Sequence, residues 1–409
     1  MASVLRFVRN AVRRTRQPSR DISSMSRVSL PREPPIEEET LPHYNPAHYY
    51  AIKIGDIYES RYQVAGKLGY GAYSTSWLCR DLKADKYSVL KVSTSLPDFP
   101  TATDRELKVY GHLSKINSKH PGQSLIRELY DSFDLEGPSG KHQCLVLQPM
   151  HMTLLEMLGM NPKPFDLPLL KMTVKRLLLA LDFLHAEAEV VHTDNLMLSL
   201  EDTTMLADFA KAESTHPSPA KTIDESRIIY GSRRFLPPGG GADYGLPVLC
   251  DFSESRVGKK HGSGPFIQPH IYRAPEVIFE MPWGSSIDIW NLAGLIWDLF
   301  EGEHLLGGIF DAKRRHDPFK HLALMIALIG PPPTEFVARS ETTEQCFDSS
   351  GAWIAHAEEP IPTLSLETLE KRLTGEEKEL FLGFVKSMLK WLPEDRKTAR
   401  ELLEDPWLL

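Results

Sequence analysis

Cysteine is scarce: Cys79, Cys144, Cys250 and Cys346 are the only four in 409 residues, and no two form a C-x-x-C pair. That argues against a disulfide scaffold and a thiolate zinc site, and it fits a reducing compartment. Long apolar runs are missing too. The most apolar stretch, around Ile287 to Phe300, carries Asp288, Asn291 and Asp298, whereas a membrane-spanning helix needs roughly 20 apolar residues in a row. No membrane span is expected. Acids are nearly absent from the start of the chain, where residues 1–32 hold eight arginines and one acid, Asp21. The formal charge of −8 therefore leaves −15 on the remainder, a balance that favours basic partners and disfavours direct nucleic acid binding.

At 409 residues with 42% apolar content, the chain suits one large or two small globular units. Val4, Leu5, Val8, Ala11 and Val12 share one helical face, and Arg6, Arg9, Arg13, Arg16 and Arg20 another, which is presequence chemistry. A plain disordered basic arm has the same composition. Residues 31–47, with Pro31, Pro34, Pro35, Pro42 and Pro46, read as an extended linker. From Tyr62 short β-rich segments follow, interrupted by a helix around Ala102 to Ile116. After Met150 the spacing becomes helical, at Leu154 to Leu158, Leu167 to His185 and Ile287 to Glu301. The change of period divides the chain into a tail and linker (1–47), a small β-rich part (48–150) and a larger helical part (151–409). A polar insertion at about 212–245, ending in LPPGGGADYG, is expected at the surface.

The most informative stretch is LGYGAYSTSW, Leu68 to Trp77, with SVLKV, Ser88 to Val92, one strand later. Gly69 and Gly71 lack the Cβ that would keep a nucleotide from the backbone, and Lys91 can reach phosphates as a point charge. A glycine hairpin alone is weak evidence, since tight turns use glycine for ordinary reasons. Downstream come Glu106, VHTDNLML (Val191 to Leu198), CDFS (Cys250 to Ser253), RAPE (Arg273 to Glu276), IDIW (Ile287 to Trp290) and Arg396.

In that order, these residues resemble the stations of the eukaryotic protein kinase fold. Within that superfamily the chain resembles fungal members of the SR-protein kinase group. Ser74 stands where many kinases have a third glycine, Thr193 stands where an arginine usually precedes the catalytic aspartate, and HLALMIALIGPPP spans His321 to Pro333. The resemblance covers about residues 43–409. It implies an α+β, two-lobed protein kinase fold that uses ATP and Mg²⁺ to phosphorylate serine in basic, Arg/Ser-rich splicing factors. It also implies a link to mRNA processing, a monomer, and location in cytoplasm and nucleus. The basic N-terminus offers a mitochondrial alternative.

The resemblance also implies roles. Lys91 pairs with Glu106 and holds phosphates, while Leu68, Gly69, Gly71 and Ser74 cover them. The Gln148 carbonyl and Met150 N–H face adenine, in a segment that can equally be read as an edge strand ending at Pro149. Asp251 and Asn195 hold Mg²⁺, and Asp194 is the base. Glu276 and Arg396 form a buried ion pair. Asp288 holds the backbone of the catalytic loop; as an alternative, it is a favourable charge in a first helical turn. Thr193 removes the electrostatic reason for phosphorylating an activation loop, so constitutive activity is expected.

One feature departs from the pattern. The family places four residues, one of them a lysine, between the base aspartate and the metal-binding asparagine, whereas Asp194 and Asn195 are adjacent. Four residues span up to about 13 Å, so the two side chains are not expected to fill both roles. A lost stretch of coding sequence and a nucleotide-binding pseudokinase scaffold are competing explanations.

Overall fold

The computed structural model describes residues 27–95, 100–160, 163–192, 196–200, 202–235, 245–262, 267–311 and 313–409. The strands used below are β1 (Ile57–Tyr58), β2 (Tyr62–Gly71), β3 (Ser74–Asp81), β4 (Lys86–Ser93), β5 (Leu129–Gly137), β6 (Gly140–Leu147), β7 (Val190–Val191), β8 (Leu196–Leu198), β9 (Ala220–Thr222), β10 (Ile228–Tyr230), β11 (Pro247–Leu249) and β12 (Arg256–Val257). The helices are α1 (Pro100–Leu113), α2 (Leu154–Met160), α3 (Leu167–Asp182), α4 (Thr204–Thr215), α5 (Pro275–Ile278), α6 (Ser286–Glu301) and α7 (Pro318–Ile329).

The chain forms two units. One comprises residues up to 104 together with 128–149 and 200–244; the other comprises 105–127, 150–199 and 245–409. This division differs from the simple cut at residue 150. Most of α1 groups with the second unit, and the insertion returns to the first.

The first unit is built on an antiparallel six-stranded sheet in the order β1-β2-β3-β4-β6-β5. Alternation assigns its faces: Trp77, Cys79, Leu90, Val92, Cys144 and Val146 are buried on one side with Ile52, Tyr58, Tyr62 and Val64. Ala220 and Tyr230 of the β9–β10 hairpin join this cluster. Leu78 points to the other face and packs with Met205, Leu206 and Phe209 of α4 and with Phe235. A Cβ at Gly66 would lie 2.7 Å from the Phe209 ring, so that glycine makes room for the helix.

The expected polar insertion at about 212–245 is preceded by a helix, α4, which begins at Thr204 and carries a buried stripe of Met205, Leu206 and Phe209. The expectation of an extended linker at 31–47 is corrected. Glu37–Thr40 form a single helical turn in which Glu38 is buried, and Val28 and Leu30 exchange backbone hydrogen bonds with Ala220 (3.0 and 2.9 Å). The physical reason is charge. Lys67 is wholly buried and pairs with Glu38, with Glu37 3.3 Å away; Glu39 bonds Lys221 (2.8 Å) and Arg27 bonds Glu213 (2.7 Å). Buried charges require such partners. The residues of the basic amphipathic pattern before Arg27 lie outside the described residues.

The second unit is mainly helical. The α6 helix is buried along most of its length and packs on α3 and on the helix Gly375–Met388. Gly302, at φ +77°, ends α6 in the left-handed conformation that favours glycine. Trp407 is fully buried, its ring tilted against Phe384 and Phe381 with centroids 4.6 and 5.4 Å away. Among the described residues no helix is long and apolar enough to cross a membrane.

Candidate functional site

In the first unit β2 and β3 form a hairpin whose tip holds Gly71, Ala72, Tyr73 and Ser74. Gly69 pairs with Ser76, Ser76 with Lys91, and Lys91 with Leu145. Residues directly opposite in a sheet share a face, so the half-buried Lys91 projects from the same face as Ser76 and as the space over Gly69. Neither Gly69 nor Gly71 has a positive φ, and a Cβ at either would meet no atom within 4 Å. Backbone conformation thus does not demand these glycines. What they leave is open space above the backbone, of the kind a phosphate chain requires. Leu68 packs at the edge of the α4 cluster, and Ser74 pairs with Gly71 and Ser93. Gln148 donates its backbone N–H to the Glu128 carbonyl (2.9 Å) near the end of the 128–149 segment of the first unit.

In the second unit several expected residues come together. The wide turn Phe183–Glu187 that extends α3 closes with Ala188 N–H on the Phe183 carbonyl (3.0 Å) and presents His185 to Asp288 at 2.8 Å. The same Asp288 oxygen accepts the backbone N–H of His192 at 2.7 Å. Burial raises the Asp288 carboxyl, and the hydrogen bond from His185 opposes that rise. His192 donates Nε2–H to the Cys250 carbonyl (2.9 Å), tying the segment before Asp194 to the one before Asp251. Strands β8 and β11 pair Leu196 with Leu249 on the far side of the same loop. Asp251 adopts φ +60°, a conformation aspartate tolerates better than most residues, and its carboxylate accepts Ser253 N–H at 3.2 Å.

Phe252 is fully buried, edge-on to Tyr110 (5.2 Å) and His192 (5.1 Å). Tyr110 lies one helical turn after the buried Glu106 on α1. Arg105 donates to the Ser253 carbonyl and to Glu254, both at 3.0 Å. Reasoning from the sequence missed Tyr110 and Arg105. The four-residue spacing of Tyr110 from Glu106 on one face was the available signal for Tyr110; Arg105 gave none. Met150 is buried against Val248 and Cys250, and burial pushes the Cys250 thiol up to about 12.

The structural residues show close geometry. Arg396 donates two hydrogen bonds to the two Glu276 oxygens, both at 2.7 Å, with both side chains buried. It also donates to the carbonyls of Lys390 (3.0 Å) and Ser286 (2.9 Å). Arg273 turns onto the chain before it, donating to the carbonyls of Ile267 (3.2 Å) and Gln268 (3.0 Å). Thr193, Asp194 and Asn195 lie outside the described residues. Lys91 belongs to the first unit, and Glu106 and Asp251 to the second. Among the described residues no cluster of His, Cys, Asp and Glu forms a preassembled metal site. Mg²⁺ held between a carboxylate and nucleotide phosphates needs no such cluster, so the donors present fit it.

The first unit thus presents a glycine hairpin and a lysine on one sheet face, and the second a buried aspartate that gathers the backbone before a left-handed aspartate. The chain matches the protein kinase domain family over residues 62–239 and 243–408, and it belongs to that family. It is 44% identical over 376 residues to a serine/threonine protein kinase of Aspergillus fumigatus, covering 91% of each chain. It is 30% identical over 402 residues to the serine/threonine-protein kinase SRPK of Physarum polycephalum, again covering 91% of each. A crystal structure of a kinase domain superposes with a TM-score of 0.65 at 22% identity, over 89% of this chain and 100% of the other. The fold is a β-sheet small lobe and a helical large lobe, and the protein is a serine/threonine protein kinase.

Proposed function

We propose that this kinase transfers the γ-phosphoryl group of ATP to serine in basic, Arg/Ser-rich protein segments. The observation that carries the proposal is the similarity along 91% of the chain to a protein named SRPK, and the −15 balance after residue 32 suits a basic substrate. Asp194 takes the proton of the substrate hydroxyl as its oxygen bonds to the γ-phosphorus and the bond to the bridging oxygen of ADP breaks. The Lys91 ammonium holds the α- and β-phosphates, with Glu106 taken as its acidic partner from the family order. Backbone N–H groups of the 69–74 hairpin cover them, and the Gln148 carbonyl and Met150 N–H take the adenine edge. Asp251 would hold Mg²⁺, which when bound neutralises charge on the phosphates; Asn195, adjacent to Asp194, does not fill the second metal-ligand role while Asp194 serves as base, which makes transfer slow. Thr193 supports activity without a phosphorylated loop, because no arginine precedes Asp194 whose charge a loop phosphate would have to neutralise.

The test is labelling of a peptide array with ATP carrying a labelled γ-phosphate. Arginine/serine peptides should be labelled in preference to acidic or proline-directed ones, and Asp251→Asn should abolish the signal. Equal labelling of acidic peptides would refute the substrate class. A second reading, a nucleotide-binding scaffold for basic partners, is favoured by the adjacency of Asp194 and Asn195.

A further inference from the structure

Tyr49, which precedes the sheet, reaches the tip of the glycine hairpin. Its phenol donates to the carbonyl oxygen of Gly71 at 3.1 Å and lies 3.3 Å from that of Ala72, sharing one proton between them. The residue is 5% exposed, and burial pushes the phenol up to about 12, so it remains a donor at neutral pH.

Its own position is fixed from several sides. Arg227, at the β9–β10 hairpin, donates to the Tyr49 carbonyl at 2.6 Å. The neighbouring His48 carbonyl accepts Ser95 N–H at 2.8 Å, and Thr94 N–H bonds the Tyr73 carbonyl at 2.9 Å, joining the end of β4 to both the anchor and the turn. The Tyr44 ring packs on Tyr49 at 5.3 Å.

In a trans peptide the C=O and the following N–H point in opposite directions. Holding the carbonyls of Gly71 and Ala72 toward Tyr49 therefore directs the N–H groups of Ala72 and Tyr73 away from it. A turn with unanchored peptide planes would have to order them when an anion binds, and that ordering opposes binding.

We propose that Tyr49 is a positioning residue for phosphate binding, orienting the backbone N–H groups at the tip of the glycine hairpin. The proposal rests on the nucleotide-binding reading above. It makes the N-terminal segment, anchored by the insertion through Arg227, part of the phosphate-binding apparatus.

The test is calorimetric titration of the full chain and of Tyr49→Phe with Mg·ATP and, separately, with adenosine, which has no phosphates. The variant should bind Mg·ATP about 3- to 10-fold more weakly, the effect of one lost orienting hydrogen bond, while its adenosine affinity stays at the value of the unaltered chain. Equal weakening toward both ligands would assign Tyr49 a merely structural role and overturn the proposal. So would unchanged Mg·ATP affinity. If the unaltered chain binds neither ligand, the nucleotide reading fails and the proposal falls with it; normal binding by both proteins defeats the proposal alone.

Discussion

Removing one member of the Glu276–Arg396 pair should destabilise the large lobe severely. Both side chains are almost wholly buried and meet through two 2.7 Å hydrogen bonds. Breaking such a pair typically costs about 3–5 kcal/mol, because the survivor is left charged in a dry interior. At about 2–4 °C per kcal/mol for a unit of 150–250 residues, the melting temperature should fall by roughly 6–20 °C. The two single variants should differ. In Glu276→Gln the guanidinium keeps the carbonyls of Lys390 and Ser286 and the face of Trp290, so the loss should sit at the lower end. In Arg396→Met the buried carboxylate loses both guanidinium hydrogen bonds, so the loss should sit at the upper end. The double variant Glu276→Leu with Arg396→Met should recover most of the loss, since apolar replacement of a buried pair is often neutral. Differential scanning calorimetry and denaturant titration of the four proteins form the cycle. Single losses below about 1 kcal/mol, or a double variant as poor as the sum of the singles, would refute the reasoning.

Three further outcomes follow from other parts of the chain. Deleting residues before Arg27 should leave the melting temperature unchanged, whereas deletion through Thr40 should lower it sharply, because buried Lys67 loses the carboxylates of Glu37 and Glu38; equal stability of the two truncations would contradict the burial argument. Burial pushes His316 down to about 4 and lowers His321, so the folded state binds fewer protons than the unfolded one, and stability should fall as pH drops from about 6.5 toward 4. His321→Gln should reduce that slope in melts across pH, and an unchanged slope would sink the assignment. A fluorescent reporter fused to residues 1–40 should show whether the arginine-rich face directs import: mitochondrial signal is the expected outcome of presequence chemistry, and diffuse signal would remove it.

Much of the small lobe was legible because its signals are local. The alternation of β2, β3 and β4 fixes which face Lys91 occupies, and the glycine spacing marks the turn between β2 and β3. Helix α4, just ahead of the insertion, was not legible because its apolar stripe at Met205, Leu206 and Phe209 is short. The N-terminal strap was illegible for a different reason. A run of glutamates reads as solvated, and only the tertiary placement of Lys67 shows why Glu38 is inside. The Glu276–Arg396 contact spans 120 positions, so no local pattern encodes it and only resemblance to a family suggested it. Tyr49 gave no signal at all, since nothing in HYYAIKIGD announces a phenol reaching a turn 22 residues on.

Whether this kinase is slowed by its shortened catalytic loop is decided by one comparison at Asp194 and Asn195. Phosphoryl transfer to an arginine/serine peptide should be measured for the chain as it stands and for a variant with Leu-Lys-Pro-Asp inserted between those residues, with Mg·ATP affinity measured for both. Nucleotide affinity should be similar for the two, transfer by the unaltered chain should lie far below the roughly 1–100 per second of ordinary kinases, and insertion should raise it by orders of magnitude. Full transfer by the unaltered chain would show that Asp194 and Asn195 are wrongly assigned, and absence of transfer from both proteins despite ATP binding would contradict the kinase reading in favour of the scaffold.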